Sequence, residues 1–418
     1  MDKRILIISN EALADRSSNG RTLKNLLLYI PKEYLAQFYI HGTPDPEACS
    51  CYYRVSDKDA LNAFLLKKSA NRGKVQTNEK PEAPVEGKKI QRNYRNLFLR
   101  NMVWQSMRWW TKEFDAFLQA FRPEVILLQT GDAPFMYKIA RRIAGKYRAK
   151  LMMFSTENYV LKKRMYAAKP NDKMFWHNLQ MASLKRQYQK FMDQADCCAY
   201  STEYLEQVFQ NRYPHPGRSG AFYTGTQMQD CSQLAGEGSE FSLVYCGNLG
   251  VGRAPVLCEM AQVLSKVDAR AKLVVYGKFA NESDRENVCA FDNVDYRGFV
   301  AYEEIPLVLA KSSMVIHCEN VTRLEDLKSA FSTKIADSLA CGKPFLVYAT
   351  REYPFVQYLE QNCAAHIAEN PQELEEILKK CKNDKAYAEQ FIANAKQVAA
   401  ENHDAQKNSQ RFREIICN

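Results

Sequence analysis

Short apolar runs alternate with helical patterns twice along this chain, and that alternation restricts the fold more than any other feature. In the first half the runs are RILIIS (4–9), QFYIHG (37–42), VILLQT (125–130), KLMMFST (150–156) and CCAYS (197–201), with AFYTG (221–225) as a weaker sixth. In the second half they are FSLVYCG (241–247), KLVVYG (272–277), VDYRGFV (294–300), MVIHCE (314–319), PFLVYA (344–349) and AAHIAE (364–369). Each has strand length and lacks clean polar–apolar alternation, as expected of strands buried on both faces of a parallel sheet. Helical patterns lie between them at 20–30, 133–148, 203–211, 254–267, 302–310 and 331–341. The expectation is an α/β protein of two doubly wound, Rossmann-like domains. The first spans 1–225, the polar segment TQMQDCSQLAGEGSE (226–240) links them, the second spans 241–390, and a helical stretch covers 371–416.

The chain has 418 residues, 46% of them hydrophobic and 25% charged, which is ordinary for a soluble globular protein. It contains no run of eighteen apolar residues, so no membrane-spanning helix is expected, and the apolar run near the N-terminus is too short for a secretory signal. The thirteen cysteines form no Cys-x-x-Cys pair; Cys49-x-Cys51 and Cys197-Cys198 are too close for zinc knuckles, and Cys246, Cys318 and Cys341 fall in apolar runs as small core residues. Reduced thiols and a cytoplasmic location are expected.

The net charge of +10 is concentrated. Between Lys67 and Lys112 twelve Lys and Arg face only Glu79, Glu82 and Glu86, a local +9. Residues 69–91 are rich in Pro, Gly and charge and read as a mobile loop, followed by a basic aromatic helix over 92–118. Trp104, Trp109 and Trp110 are interleaved there with Arg95, Arg100 and Arg108. Arg100, Trp104, Arg108, Trp109 and Trp110 are candidates to face an anionic membrane surface; the competing reading is a core helix with a charged outer face.

Two stretches carry anion-binding chemistry. In AFSTKIADSLACGKPFLVY (330–348), Ser332, Thr333 and Lys334 open a helix, where free N–H groups, hydroxyls and an ammonium meet. Asp337 follows one turn on, able to accept from a sugar diol. In YCGNLGVGRAP (245–255) a strand ends in a turn containing Gly247, Asn248, Gly250 and Gly252, with Arg253 before a helix opened by Pro255. Diphosphate beside a sugar is the chemistry of a nucleotide-sugar. In a doubly wound domain both stretches follow strands and reach the carboxyl edge of the sheet, where ligands bind.

The pieces YCGNLGVGR, KLVVYG, VDYRGFVAYEEIPLVLAKSSMVIH and FSTKIADSLACGKPFLVYA, in that order over roughly 241–350, resemble the donor domain of GT-B nucleotide-sugar glycosyltransferases, of the retaining, glycogen-synthase-like and family-4-like group. The resemblance implies that Arg253 and Lys334 hold the diphosphate, that Asp337 grips the ribose, and that Phe299 and Val300 contact the base. It also implies that SSNGRTLKNLL (17–27), with Asn19, Gly20 and Arg21, borders the sugar and acceptor, and that residues 391–418 cross back to the first domain. The implied activity is transfer from a UDP- or GDP-sugar to a glycan or lipid-linked acceptor held in the cleft between the domains, without a metal or other cofactor. The implied pathway is assembly of a bacterial capsule, exopolysaccharide or lipopolysaccharide, at the inner face of the membrane. The chain departs from the family's Glu-x7-Glu pattern, with Ser329 and Asp337 at the two positions; Glu319, Glu325 or Asp326 could replace the first glutamate. That departure keeps a non-catalytic nucleotide-sugar-binding module open, beside an epimerase or hydrolase of the same fold.

Other constellations are weaker. Asp57-x-Asp59 reads as a helix start capped by Ser56, not a metal site. Asp132 and Glu157 follow strands of the first domain and are candidates to orient an acceptor hydroxyl or act as base, against helix-cap and loop roles. His41 and His317 read as structural, and Lys162, Lys163 and Arg164 either extend the basic surface or are simply solvated. No nucleophilic triad or P-loop is present, NEALADR (10–16) is not a dinucleotide-binding turn, and nucleic acid is not an expected partner.

Overall fold

The computed structural model describes residues 2–14, 18–66, 73–75, 93–162, 173–215, 217–236, 238 and 240–417. Most of the expected loop 69–91, together with Lys163 and Arg164, lies outside the described residues. The chain divides into two compact units, Met1–Tyr223 with Ala405–Asn418, and Thr224–Asp404.

In the first unit β1 (Ile5–Ile8), β2 (Leu35–Tyr39), β3 (Cys51–Arg54), β4 (Gly73–Val75), β5 (Val125–Gln129), β6 (Lys150–Ser155), β7 (Cys197–Tyr200) and β8 (Arg218–Ala221) form one sheet. Its order is β4-β3-β2-β1-β5-β6-β7-β8, parallel except for the β3–β4 edge pair. The central strand β1 is buried throughout because both faces are covered. Leu6 and Ile8 enter a core with Trp104, Phe114 and Tyr137, whereas Ile5 and Ile7 enter the opposite one with Leu23 and Phe412. The last helix, Ala405–Cys417, closes that second face beside the helix Ser18–Leu26. Ser409 accepts from the Tyr29 N–H at 2.7 Å, and Arg413 grips both carboxylate oxygens of Asp2 at 2.6 and 2.7 Å.

Three expectations differ from what forms here. Strand β8 is RSGA (218–221), not AFYTG, because an edge strand is held by its ladder to β7 and needs no apolar run. Strands β3 and β4 and the helix Met174–Met192 have no counterpart in the sequence reading. The basic aromatic helix is two helices, Tyr94–Gln105 and Lys112–Phe121, and its tryptophans point inward. Trp104 and Trp109 are 0% and 1% exposed, so they cannot face a membrane. Their indole N–H groups donate to Asp57 Oδ1 and to the Trp104 carbonyl, and Trp104 stacks on Phe135 at 4.7 Å. Trp110 packs on the same core, donates to Asp115 and lies under the Arg142 guanidinium. Arg100 is held by Asp57 at 2.7 Å and Arg108 by the Phe64 carbonyl at 2.8 Å. The aromatic content that looked interfacial fills the core instead.

In the second unit all six expected strands form: β9 (Ser242–Cys246), β10 (Lys272–Tyr276), β11 (Val294–Gly298), β12 (Met314–Cys318), β13 (Phe345–Tyr348) and β14 (His366–Ala368). They make a parallel sheet in the order β11-β10-β9-β12-β13-β14. Two parallel doubly wound sheets are thus established. The segment 226–240 is part of this unit rather than a free linker: Met228 and Cys231 are buried with Val244 and Cys341, and the Cys231 N–H donates to the Cys341 carbonyl at 2.9 Å. Residues 392–404 also belong to this unit, so only Ala405–Cys417 of the expected crossing segment packs in the first. A π-helical turn, Ala399–His403, ends the second unit. The Thr226 N–H donates to the His403 carbonyl at 2.7 Å, and His403 Nδ1 lies 3.0 Å from the Thr224 carbonyl. A carbonyl only accepts, so Nδ1 carries the proton and Nε2 accepts from the Tyr358 hydroxyl at 3.1 Å.

Candidate functional site

The strand order of the second sheet reverses between β9 and β12, which opens a crevice at their carboxyl ends. The two loops bordering that crevice carry both anion-binding stretches. After β9 the turn Gly247–Arg253 folds on itself: Asn248 Oδ1 accepts from the Gly250 N–H at 2.8 Å, and Gly252 adopts a positive φ of 81° that favours glycine. After β12, Asn320 reaches across to the same turn and donates to the Gly252 carbonyl at 3.0 Å.

Arg253 is placed by this turn but not presented to solvent. It is 5% exposed, and each of its guanidinium nitrogens has an internal partner. Nε donates to the Cys318 carbonyl at 3.1 Å, Nη1 to the Asn248 carbonyl at 2.7 Å, and Nη2 to Glu319. Burial disfavours the charge on Arg253, but Tyr245 and Glu319 outweigh it and raise the pKa. Glu319 is pushed up by burial and pulled below its ordinary range by His317 and Arg253. His317 Nε2 stands 3.3 Å from Glu319 Oε1, with its own pKa lowered by burial. The diphosphate role expected of Arg253 therefore competes with these bonds, in which the Asn248 carbonyl of the turn after β9, the Cys318 carbonyl of β12 and the Glu319 carboxylate take three of its five N–H donors. Glu319, offered as a sugar contact, is buried with Oε1 turned to Arg253 and His317.

Lys334 occupies a different setting. The helix Thr333–Ala340 starts after Ser332, whose hydroxyl makes no capping bond, and Ser332, Thr333 and Lys334 are all partly accessible. The lysine side chain lies over the glycine-rich turn. A Cβ placed on Gly247 would come 2.0 Å from Lys334 Cε and 2.7 Å from its Nζ. Only a glycine admits the lysine at that distance, so the two anion-binding stretches meet in space at the switch point. Asp337, one turn further along, is buried: Oδ1 accepts from the Thr226 hydroxyl at 2.5 Å and the Tyr302 hydroxyl at 3.2 Å. The ribose role expected of it competes with those two bonds.

Phe299 and Val300 stand at the carboxyl end of β11, with Phe299 86% exposed. They line a groove of about 470 Å³ with the apolar Val274 and Leu307 and the charged Asp295, Arg297, Glu304 and Lys311. An exposed ring beside a groove with polar groups is suited to a flat heteroaromatic group.

In the first unit Asn19, Gly20 and Arg21 lie in the first turn of the helix Ser18–Leu26, not in a loop, and the Asn19 carbonyl accepts from Gln129 Nε2 at 3.1 Å. Asp132 follows β5, its carbonyl accepting from Gln180. Glu157 follows β6 and is ion-paired with Lys162, a pairing that competes with a role as base. The helix start at Ser56 forms as expected, and Asp59 completes a capping box there. Asp57 is raised by burial but held well below the carboxylate range by His41, Arg100 and Trp104. Among the described residues no group of three or more His, Cys, Asp or Glu is placed to hold a metal.

Sequence reasoning missed Asn320, Thr226 and Tyr302 as supports of this site. No local signal marks them: Asn320 meets its glycine across 68 positions, and Thr226 meets Asp337 across 111.

Comparison with known proteins places this geometry. Residues 255–414 match the model of a family described as glycosyl transferase-like, a span that includes Lys334 and Asp337. No curated protein matches the chain. Among solved structures the chain is similar to sucrose-phosphate synthase from Thermosynechococcus elongatus, at 13% identity and TM-score 0.64 over 98% of this chain and 97% of that one. It is similar to Anabaena HepE in complex with UDP and glucose, at 13% identity and TM-score 0.62 over 100% of each chain. It is also similar to WaaG, a glycosyltransferase involved in lipopolysaccharide biosynthesis, at 12% identity and TM-score 0.59 over 99% of each. The chain is a protein of the GT-B fold whose residues 255–414 match the model of the glycosyl transferase-like family.

Proposed function

We propose that the protein is a glycosyltransferase that moves a sugar from a UDP- or GDP-linked donor to a glycan or lipid-linked acceptor. The observation that carries this reading is the meeting of Lys334 with the glycine-rich turn at the switch point of the second sheet. As the bond between the anomeric carbon and the diphosphate oxygen breaks, negative charge grows on the phosphate. The Lys334 ammonium and the first N–H groups of the helix Thr333–Ala340 offset that charge without a metal. Arg253 acts as a positioning residue: it ties the turn to Cys318 and Asn248 and so keeps the turn at its distance from Lys334. Phe299 and Val300 offer the base a surface. Asp132 and Glu157, with the helix start at Asn19–Arg21, are the candidates for the acceptor side. The solved complexes of HepE with UDP and with UDP-glucose support a nucleotide-sugar donor, and the likeness to WaaG, involved in lipopolysaccharide biosynthesis, supports a role in assembly of a bacterial surface polysaccharide. Retention of configuration is part of the proposal and is checked by the anomeric form of the product.

The test is a thermal-shift and calorimetric screen of UDP, GDP, ADP, CMP and dTDP against the wild type and Lys334→Ala. One diphosphate, UDP or GDP, is expected to stabilise the wild type, with most of the effect lost in the variant. No stabilisation, or an equal response of the variant, removes the donor site. Ser329 in place of a glutamate and the internal bonds of Asp337 favour a second reading, a nucleotide-sugar-binding module without turnover. Nucleotide binding without donor hydrolysis or transfer to any acceptor selects it.

A further inference from the structure

The inward turn of Trp104 leaves the opposite side of its helix, Tyr94–Gln105, to other residues, and Leu99 and Met102 stand there. Leu99 is 45% exposed and Met102 52%, three positions apart on the solvent face of Tyr94–Gln105. The helix Met174–Met192 packs alongside, joined through Asn101 to Ser183 at 3.0 Å and through Phe98 to Trp176 at 5.6 Å. Its outward row begins with Phe175, 63% exposed, and Leu179 four positions later. Among the described residues, nine of the fifteen exposed large hydrophobic side chains fall within 61–66, 99–102 and 174–179, so they are grouped and not scattered. On the paired helices the charges have one sign. Residues 93–112 and 173–192 contain eight Lys and Arg and no Asp or Glu. Arg95, on the same face as Leu99, and Arg186, on the same row as Leu179, are exposed.

We infer that the outer face of the paired helices Tyr94–Gln105 and Met174–Met192 is a docking surface for an anionic phospholipid bilayer. Exposed Leu, Met and Phe enter the acyl boundary while Arg and Lys meet the headgroup phosphates, and the absence of acidic residues on both helices removes repulsion from that surface. This surface does not depend on the proposed activity. It replaces the tryptophan set with residues that reach solvent.

The experiment is vesicle flotation of the full chain with phosphatidylcholine alone and with about one-third phosphatidylglycerol, at low and high salt. The wild type is expected on the anionic vesicles only, with binding that weakens as salt rises. Leu99→Glu with Met102→Glu is expected to lower partitioning at least about tenfold. Arg95→Gln with Arg186→Gln is expected to lower it roughly fivefold per residue. Leu28→Glu, a 40% exposed leucine outside the patch, is expected to leave it unchanged. Circular dichroism melting establishes that each variant is folded. The inference is overturned if the wild type ignores anionic vesicles, or if the Leu99/Met102 variant floats as well as the wild type. It is also overturned if that variant only converts an oligomer to a monomer, which marks the face as a contact between copies, or if duplex DNA binds in place of vesicles. Nucleotide stabilisation, measured on the same preparations, reports separately on the donor site.

Discussion

The turn Gly247–Arg253 and the helix start Ser332–Asp337 border one crevice, each with a cation, and the two cations have opposite fates. Arg253 is buried and gives three of its five donors to Cys318, Asn248 and Glu319. Lys334 lies partly accessible above a glycine beside an uncapped helix start. A charge near a sheet edge becomes a ligand site only while some of its hydrogen-bonding capacity stays open to solvent. A desolvated charge paired with a buried carboxylate serves as architecture. The residue types alone, Arg after glycines and Lys after hydroxyls, look equivalent.

That contrast can be broken by measurement. Arg253→Ala leaves Glu319 buried without its guanidinium and is expected to cost roughly 3–5 kcal/mol of stability by urea unfolding. A loss under about 1 kcal/mol would show that the arginine is not a lock. His403 is a second group committed internally: burial lowers its pKa to about 4, although its bond to the Thr224 carbonyl opposes the shift. Its folded pKa is below the unfolded value, so its contribution is complete above about pH 6.5 and is lost as pH falls toward 4. Unfolding free energy is expected to drop by about 2 kcal/mol from this group between pH 7 and pH 5, and His403→Gln should flatten that slope. His317 and His366, also lowered by burial, act in the same direction.

Lys334→Ala tests the other side of the contrast. Stability should stay within about 0.5 kcal/mol of the wild type, while diphosphate affinity by calorimetry falls about tenfold or more. A large stability loss would make Lys334 a second lock. The smallest effect belongs to Gly247→Ala, whose new methyl meets the flexible end of Lys334. It should lower diphosphate affinity a few-fold by displacing the ammonium, and should have no further effect once Lys334 is alanine. An equal effect in both backgrounds would mean that the alanine acts on the turn and not through the lysine.

Much of the second unit was legible in the linear chain. All six of its strands coincide with apolar runs, because burial on both faces demands consecutive apolar residues and that demand is local. The glycine-rich turn and the helix start at Ser332–Lys334 were legible for the same reason: conformational freedom at Gly252 and the onset of a helix belong to a few adjacent residues. The partners of those residues were not legible. Arg253 and Glu319 are 66 positions apart and Thr226 and Asp337 are 111 apart, and it is the strand order that brings each pair together. The same holds for the tryptophans. A basic, aromatic, helical stretch is compatible with either face turned inward, and Phe38, Phe114 and Phe135, brought by a distant strand and two later helices, drew Trp104 and Trp109 into the core. Periodicity in a chain reports how much apolar surface an element has to bury, whereas the direction in which it is buried depends on neighbours that only long-range packing supplies.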